Sequence, residues 1–493
     1  MFMLVPLIIG TLIICLIHSM RKPKGFPPGP DWFPIIGCIP TIVHHVKVFK
    51  FYHLMWNHFS SIYGEVSGFR IGRCNLVVVS GIPAIKEFYT KEEFAARPNG
   101  FFYQIRTFNK PLGIVFTDGK EWDIQRKFTM KVMRKIANMK AFSDIGNHIQ
   151  IETQEMISFF QRAAMSNALI DMEHIFDVPV LNNVWALLSG YRFHLEDKRL
   201  HKLLKMVHES FRILDMSGGL LNQFPFIRHV IPEKSGYKRL VETVQPIWDL
   251  LNECIEDIKT KPESESIIKE FLKEIDKGTP TFTKEQLLAL CLDFFQAGSE
   301  TTSNTLGFGL IYLMHSPRVL CKLRQEIDEV LGDKVPSLQD RCKLRYVEAV
   351  INEVQRLGNV APLAIAHRSV ASTEFRGHII PKDAMILVST YSLNMDQNYW
   401  KDPFNFRPER FIDDKGEIIY HDPFIPFGAG KRRCIGETIA RSNLFLFFTA
   451  FIQKFDIELP MGSTLPELLG MDGLTLSPQP FKAYIRARER KII

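Results

Sequence analysis

Residues 424–437 read FIPFGAGKRRCIGE, a glycine- and arginine-rich stretch around one cysteine, Cys434. Glycines let a backbone approach a ligand closely or take positive φ. A thiolate seeks a metal or an electrophile. Arginines beside it ask for an anion, and their planar fork suits a carboxylate. A partner that meets all three demands is flat, contains a metal and bears carboxylates. The other cysteines, at 15, 38, 74, 254, 291, 321 and 342, show no CxxC pairing and no spacing of a zinc site or disulfide framework. They suit a reducing, cytosol-facing compartment and leave Cys434 as a lone thiol that needs its own explanation.

A second chemical group lies in AGSETTSN, where Ala297 and Gly298 precede Glu300 and Thr301. An acid next to an alcohol inside an apolar helix is costly unless the groups are paired or working. Thr301 can bond back to a carbonyl one turn earlier, and Gly298 removes bulk, so this helix is expected to open locally. The alternative is a Ser/Thr-rich contact between helices. NEVQR places Glu353 and Arg356 three apart on one helix face, and WDIQR places Trp122 and Arg126 four apart on another. Alone, such pairs carry little information.

These groups need a scaffold. Lys284–His315 reads as one long apolar helix with Thr283 as its N-cap. Leu344–Arg356 is amphipathic, and CIGETIARSNLFLFFTAFIQKF begins a closing helix at the cysteine itself. From about Lys120 to Val330 the chain reads mainly as helices with polar breaks such as Lys259–Ser266. Val66–Ser80 and Ala384–Thr390 carry strand patterns. The fold class expected is mainly α with small β-sheets.

The chain has 493 residues, 46% hydrophobic and 23% charged, with 39 phenylalanines, enough for a large apolar interior. Its net charge of +7 is too weak to argue for nucleic acid, but suits an anionic membrane surface or an acidic protein partner. Phe2–Ile17 is nearly all apolar and is followed by Arg21–Lys24, which predicts an uncleaved anchor with the body on the cytosolic side. The expected organisation is a membrane anchor over 1–20, a basic, proline-rich spacer over 21–30 and a catalytic domain over 31–493. Residues 217–232 are either a surface segment dipping into the membrane or a loop packed on the core.

The run Phe427-x-x-Gly430-x-Arg432-x-Cys434-x-Gly436 resembles the haem-binding loop of the cytochrome P-450 superfamily. Glu353-x-x-Arg356, Arg410 in FRPERF, and the Glu300–Thr301 pair follow in that family's order. The resemblance covers the whole chain, anchor included, and is of the microsomal membrane-bound type. It implies haem b ligated by the Cys434 thiolate, with Phe427 and Gly436 shaping the loop and Ala297 facing the cofactor. Arg432, Arg126, Trp122, Arg97 and His367 are implied contacts of the haem propionates. Glu353, Arg356 and Arg410 are implied to form a buried structural network. Thr301 is implied to hold dioxygen while Glu300 helps deliver protons.

The implied activity is a monooxygenase reaction. Electrons come from NADPH through a membrane-bound flavoprotein reductase, which the basic face near Arg126–Lys140 would meet. One oxygen atom goes to the substrate and the other leaves as water. By family position, the substrate pocket draws on Val115, Phe116, Phe294, Ala297, Val360, Leu363 and Leu474. No charged residue is evident among them, so an apolar substrate is expected. AGSETTSNTLGFGLIYLM and NEVQRLGNVAP look most similar to insect members that epoxidise methyl farnesoate or farnesoic acid in juvenile hormone biosynthesis. Fatty acids, steroids and xenobiotics are the alternative substrates. A haem-thiolate ligand sensor without turnover is the alternative of another class, though such a protein has no need of Glu300–Thr301. The implied location is the endoplasmic reticulum membrane, catalytic domain to the cytosol.

Overall fold

The alternating stretch at Val66–Ser80 folds as a hairpin, β1 (Val66–Ile71) and β2 (Cys74–Val79), turning at Gly72, whose φ is +58°. In this computed structural model, residues 10–11, 14, 16–138, 145–213, 218–260 and 265–489 are described. Helices dominate. Those that position the site are α1 (Gly119–Asn138), α2 (Ile145–Ser166), α3 (Asp177–Ser189), α4 (Lys198–Ile213), α5 (Lys284–Met314), α6 (Arg345–Gly358) and α7 (Glu437–Lys454).

Three small sheets flank them. β3 (Leu169–Asp171) pairs with β9 (Lys482–Ala487), which pairs with β8 (Phe455–Glu458). β4 (His367–Arg368) and β7 (Met385–Val388) join β1 and β2 in the order β1-β2-β7-β4, with β7 parallel to β2. β5 (Thr373–Phe375) and β6 (His378–Ile380) form a hairpin. The segments that become β3, β8 and β9 carry no strand signal that stood out against their helical surroundings.

The long helix forms as its pattern predicts. Thr283 is extended at φ −126° and its side chain accepts from the Gln286 amide, closing the first turn. Leu287–Phe295 is buried all round, because α5 runs through the middle of the molecule and packs on α3, α6 and α7. In α7 every residue from Ser442 to Gln453 is buried, and Phe451 joins Phe160, Phe176 and Phe455 in a cluster of edge-on and tilted rings.

At the front, one expectation changes. The proline-rich 21–30 segment, expected as a semi-rigid spacer, is held against the body from Phe26 on. Phe26 is buried, Gly68 donates to the Pro28 carbonyl, and a Cβ at Gly29 would fall 1.8 Å from the Gly68 oxygen. The segment is thus a packed part of the body. Among the described residues no helix is long and apolar enough to cross a membrane. Most of the expected anchor over 1–20 lies outside the described residues. In the 217–232 stretch, of which Ser217 is also outside them, Phe226 and Val230 are 64% and 72% exposed while Leu221 is buried at 3%, so one end packs on the core and the other faces outward. The seven described cysteines are all free thiols.

Candidate active site

The cysteine loop is shaped by its glycines. Gly428 and Gly430 take φ of +69° and +64°, and a Cβ on Gly430 would come within 2.9 Å of the Tyr89 carbonyl oxygen. A short 3₁₀ turn over Gly430–Arg432 follows, and the Cys434 amide donates to the Phe427 carbonyl at 3.0 Å. Arg441 lies over the Phe427 ring at 4.8 Å. The Cys434 side chain is crowded on most sides yet reachable by solvent, as expected of a group lining a cavity. Burial pushes its thiol pKa up, while the Gly436 amide, Arg126 and Arg433 pull it down. The N–H group expected to bond the sulfur is therefore that of Gly436.

A ring of cations stands nearby. Arg97 is 5% exposed; its Nε donates to the Val115 carbonyl at 3.0 Å and its Nη1 to Ile365 and Ala366 at 2.8 and 3.0 Å. Arg432 donates to the carbonyls of Ala95 and Thr117, each at 2.7 Å, and its buried Nη1 has no partner. Burial pulls the Arg97 pKa down to about 10, and burial and Arg97 together pull Arg432 to about 9. Arg126 is lowered by burial too and donates to the Arg433 carbonyl at 2.6 Å. The one acid in this set, Asp118, is taken by the Arg97 amide and by Arg368. Guanidiniums that depress each other, one with an orphaned nitrogen, form a cradle for an anion. The carboxylates of haem fit it.

Two expected contacts differ in detail. Trp122 donates its indole N–H to the Ile114 carbonyl at 3.0 Å, so it has none left for a carboxylate. Its ring instead supports the cations: Arg432 stacks on it at 3.7 Å and Arg126 sits 5.5 Å away. His367 is buried with Nδ1 on the Phe94 carbonyl at 2.7 Å; burial, Arg97 and Arg432 hold its pKa well below 6.5. The ring is therefore neutral with its proton on Nδ1.

On α5, Ala297 is exposed and Thr301 half-buried within a helix that is otherwise mostly buried, so this face lines open space. The Thr301 hydroxyl donates to the Ala297 carbonyl at 3.1 Å, as expected. Gly298 does something else: a Cβ there would meet Val184 of α3 at 2.9 Å, and α5 runs on without a break. The glycine allows close helix packing and does not open a groove. Glu300 is fully buried and faces away from that open side. It pairs with Arg212 of α4, accepts from the Thr475 hydroxyl at 2.5 Å and lies 3.2 Å from His208.

The expected pocket residues come from four segments. Phe294, Val360 and Leu363 are buried, while Val115, Phe116 and Leu474 are partly open. Backbone bonds fix Leu474 to Phe211 at 2.9 Å and Leu476 to Val360 at 2.8 Å. Contrary to the purely apolar expectation, a buried ion pair underlies the first segment. Asp293 pairs with Arg106 and accepts from the amides of Ile114 and Val115 at 2.6 and 3.0 Å. An aspartate inside LLALCLDFF was the available signal for it. The groups around Glu300 had none, since Asp177, His208, Arg212 and Thr475 share no spacing.

Behind the loop, Glu353 accepts from Arg356 Nε and Nη2 at 2.7 and 2.9 Å and from Arg410 Nε at 3.0 Å, all buried. On α1, part of the expected basic face is neutralised: Lys127 pairs with Asp123, and Lys135 with Glu270. Lys131 and Arg134 stay exposed.

A helical body that presents one reachable thiol on a glycine-shaped loop, close to a cluster of guanidiniums of which one has an unpartnered buried nitrogen, has the construction of a haem-thiolate protein. The chain belongs to the cytochrome P450 family, whose description "Cytochrome P450" matches residues 27–485. It is similar to the farnesoate epoxidase of Bombyx mori, 37% identical over 98% of this chain and 99% of that one. It is also similar to a probable cytochrome P450 305a1 of Drosophila melanogaster (34% identical, 98% of each). Cytochrome P450 2J5 of Mus musculus is 32% identical over 97% of this chain and 95% of the relative. The protein is a haem-thiolate monooxygenase that takes electrons from a redox partner and acts with O2 on a small molecule.

Proposed function

We propose that this monooxygenase epoxidises methyl farnesoate or farnesoic acid in juvenile hormone biosynthesis. The carrying observation is the 37% identity, over essentially both full lengths, to a protein named farnesoate epoxidase. The apolar character of Phe116, Phe294, Ala297, Val360, Leu363 and Leu474 supports a long hydrocarbon substrate with few polar groups.

In this reading Cys434 would hold the haem iron through its thiolate, and Phe427, Gly430 and Gly436 would leave room for the cofactor beside it. Haem supplies an iron that activates dioxygen with externally delivered electrons. Arg432, whose Nη1 is free, and Arg97 and Arg126 hold the carboxylates, while Trp122 backs the cations and His367 borders them. Ala297, exposed on α5, would leave space on that face for the cofactor. Thr301 offers its hydroxyl on the same face, and Glu300 supplies the proton store one residue away. The apolar side chains keep bulk water from the double bond. Glu353, Arg356 and Arg410 hold the scaffold. Electrons arrive from an NADPH-dependent flavoprotein reductase docking near exposed Lys131 and Arg134. The N-terminal 20 residues anchor the protein in the endoplasmic reticulum, with the body on the cytosolic side.

The test is reconstitution with reductase and NADPH, offering methyl farnesoate, farnesoic acid, a polyunsaturated fatty acid and a steroid. A spin-state change and one epoxide regioisomer from a farnesoid substrate are expected. Absence of both at micromolar substrate refutes the epoxidase assignment.

A further inference from the structure

Glu300 is fully buried, yet a series of ionisable side chains leads from it to the surface. Glu300 Oε2 lies 3.2 Å from His208 Nδ1 on α4. His208 Nε2 lies 2.6 Å from Asp177 Oδ2 at the start of α3. That same oxygen is 3.3 Å from His174 Nδ1, and His174 Nε2 is 3.0 Å from Glu173 Oε1. Exposure is 0% at Glu300, 6% at His208 and 2% at Asp177, and reaches 26% at His174 and 32% at Glu173. Each imidazole has both nitrogens directed at carboxylate oxygens. That arrangement lets one nitrogen take up a proton while the other gives one away.

The neighbours keep the path defined. Ser303 donates to Asp177 Oδ1. Arg212, Thr475 and Asn304 all bond to Glu300 Oε1, the last at 3.2 Å. Oε2 is left with no hydrogen bond, as is the facing His208 Nδ1. Transfer across their 3.2 Å separation therefore needs a small rotation first. Asp177 and Glu300, against the opposing effect of burial, push the His208 pKa up to about 10, so that ring is charged at neutral pH.

We propose that Glu173, His174, Asp177 and His208 form a proton relay that connects solvent to Glu300, resting on the reading that Glu300 supplies protons to the face carrying Thr301. His208 passes its Nδ1 proton to Glu300 Oε2. His208 keeps its Nε2 proton, so the neutral ring turns to bring bare Nδ1 to Asp177 Oδ2, takes there the proton that Asp177 has received from His174 Nδ1, and turns back. His174 is recharged at Nε2 from water or Glu173. One proton enters and one arrives; only N–H and O–H bonds change, and no electrons move. His174 returns to its starting tautomer before the next transfer.

The test uses the full-length holoenzyme with reductase, comparing His174→Ala, His208→Asn and Glu300→Gln. In His174→Ala, product formed per NADPH consumed should fall about tenfold at pH 8, peroxide should rise, and the deficit should shrink toward pH 6, where solvent protons are more plentiful. Infrared spectroscopy of the ferric protein without reductase gives a second readout. The carboxyl band lost in Glu300→Gln should change frequency in His208→Asn, where the facing imidazole is gone. Unchanged coupling in both histidine variants, with coupling lost in Glu300→Gln, overturns the relay and leaves Glu300 fed by another route. Unchanged coupling in Glu300→Gln overturns the underlying reading instead. Should His208→Asn fail to fold, His174→Ala at the exposed end decides alone. Stoichiometric zinc retained by the wild type and lost in His174→Ala would make the cluster a metal site and overturn the relay.

Discussion

Replacing Glu353 with Gln keeps the shape of the side chain and removes one buried charge. Arg410 would still have Asp402, whose Oδ1 lies 3.1 Å from its Nη2. Arg356 would not be so fortunate. Its remaining partners are the Asn394 carbonyl at 2.7 Å and the Trp400 ring at 5.2 Å, and it is 0% exposed. Breaking a buried pair to leave one ion uncompensated costs about 3–5 kcal/mol. If the amide oxygen stays on the Arg407 amide, 2.9 Å from Glu353 Oε1, the new NH2 faces Arg356 Nε, donor against donor, which adds to the damage. Unfolding entropy of about 2.1 cal/mol/K per residue over about 460 residues is about 1 kcal/mol/K, so Tm should fall by about 3–5 °C.

Tm would be read by circular dichroism alongside the Soret absorbance, with haem content per chain measured after purification. Adding Arg356→Met to Glu353→Gln should recover part of the loss, because the stranded cation is then gone. If Glu353→Gln melts within about 1 °C of wild type and retains its haem, the network is not held by compensation between these charges.

Arg432→Leu removes the cation with the orphaned nitrogen, so haem should dissociate at least tenfold faster to apomyoglobin, while Arg368→Leu on the same rim changes it little. Asp293→Asn strands Arg106 and weakens the hold on the Ile114 and Val115 amides; stability should drop by about 3 kcal/mol and the product should split into several regioisomers, read by chromatography. The folded-state pKa of His208, raised to about 10, exceeds its ordinary 6.5, so its stabilisation is complete below about pH 6.5 and is lost as pH rises through 10. Melting temperature should therefore decline across that window, and His208→Leu should flatten the decline. Thr301→Ala should leave the thiolate spectrum intact and divert NADPH to peroxide.

Periodicity and spacing made part of the molecule legible. The α5 helix and its Thr283 cap follow from residue types at fixed intervals, whereas the buried Glu353–Arg356–Arg410 contact is implied only by the family resemblance. The β3–β9–β8 sheet does not. Leu169–Asp171 is a three-residue strand between helices, and its partner lies more than 300 residues away, so no local pattern marks it. The proline-rich segment misled for a related reason. Proline stiffens a chain wherever it is, and only the close approach of Gly29 to Gly68 reveals that this one is packed.

The acid–alcohol pair shows the limit most clearly. Adjacent residues on an α-helix point about 100° apart, so Glu300 and Thr301 cannot share one face. Sequence places them side by side, but α5 turns Thr301 with Ala297 to the open side and Glu300 to the interface with α3 and α4. What an acid does there depends on which partners those helices bring. His208 and Asp177 come from separate helices, 31 positions apart in the chain. A carboxylate fixed by Arg212 alone would be an inert ion pair. The same carboxylate with one oxygen turned to a charged imidazole is a group that can exchange a proton, and that difference belongs to packing.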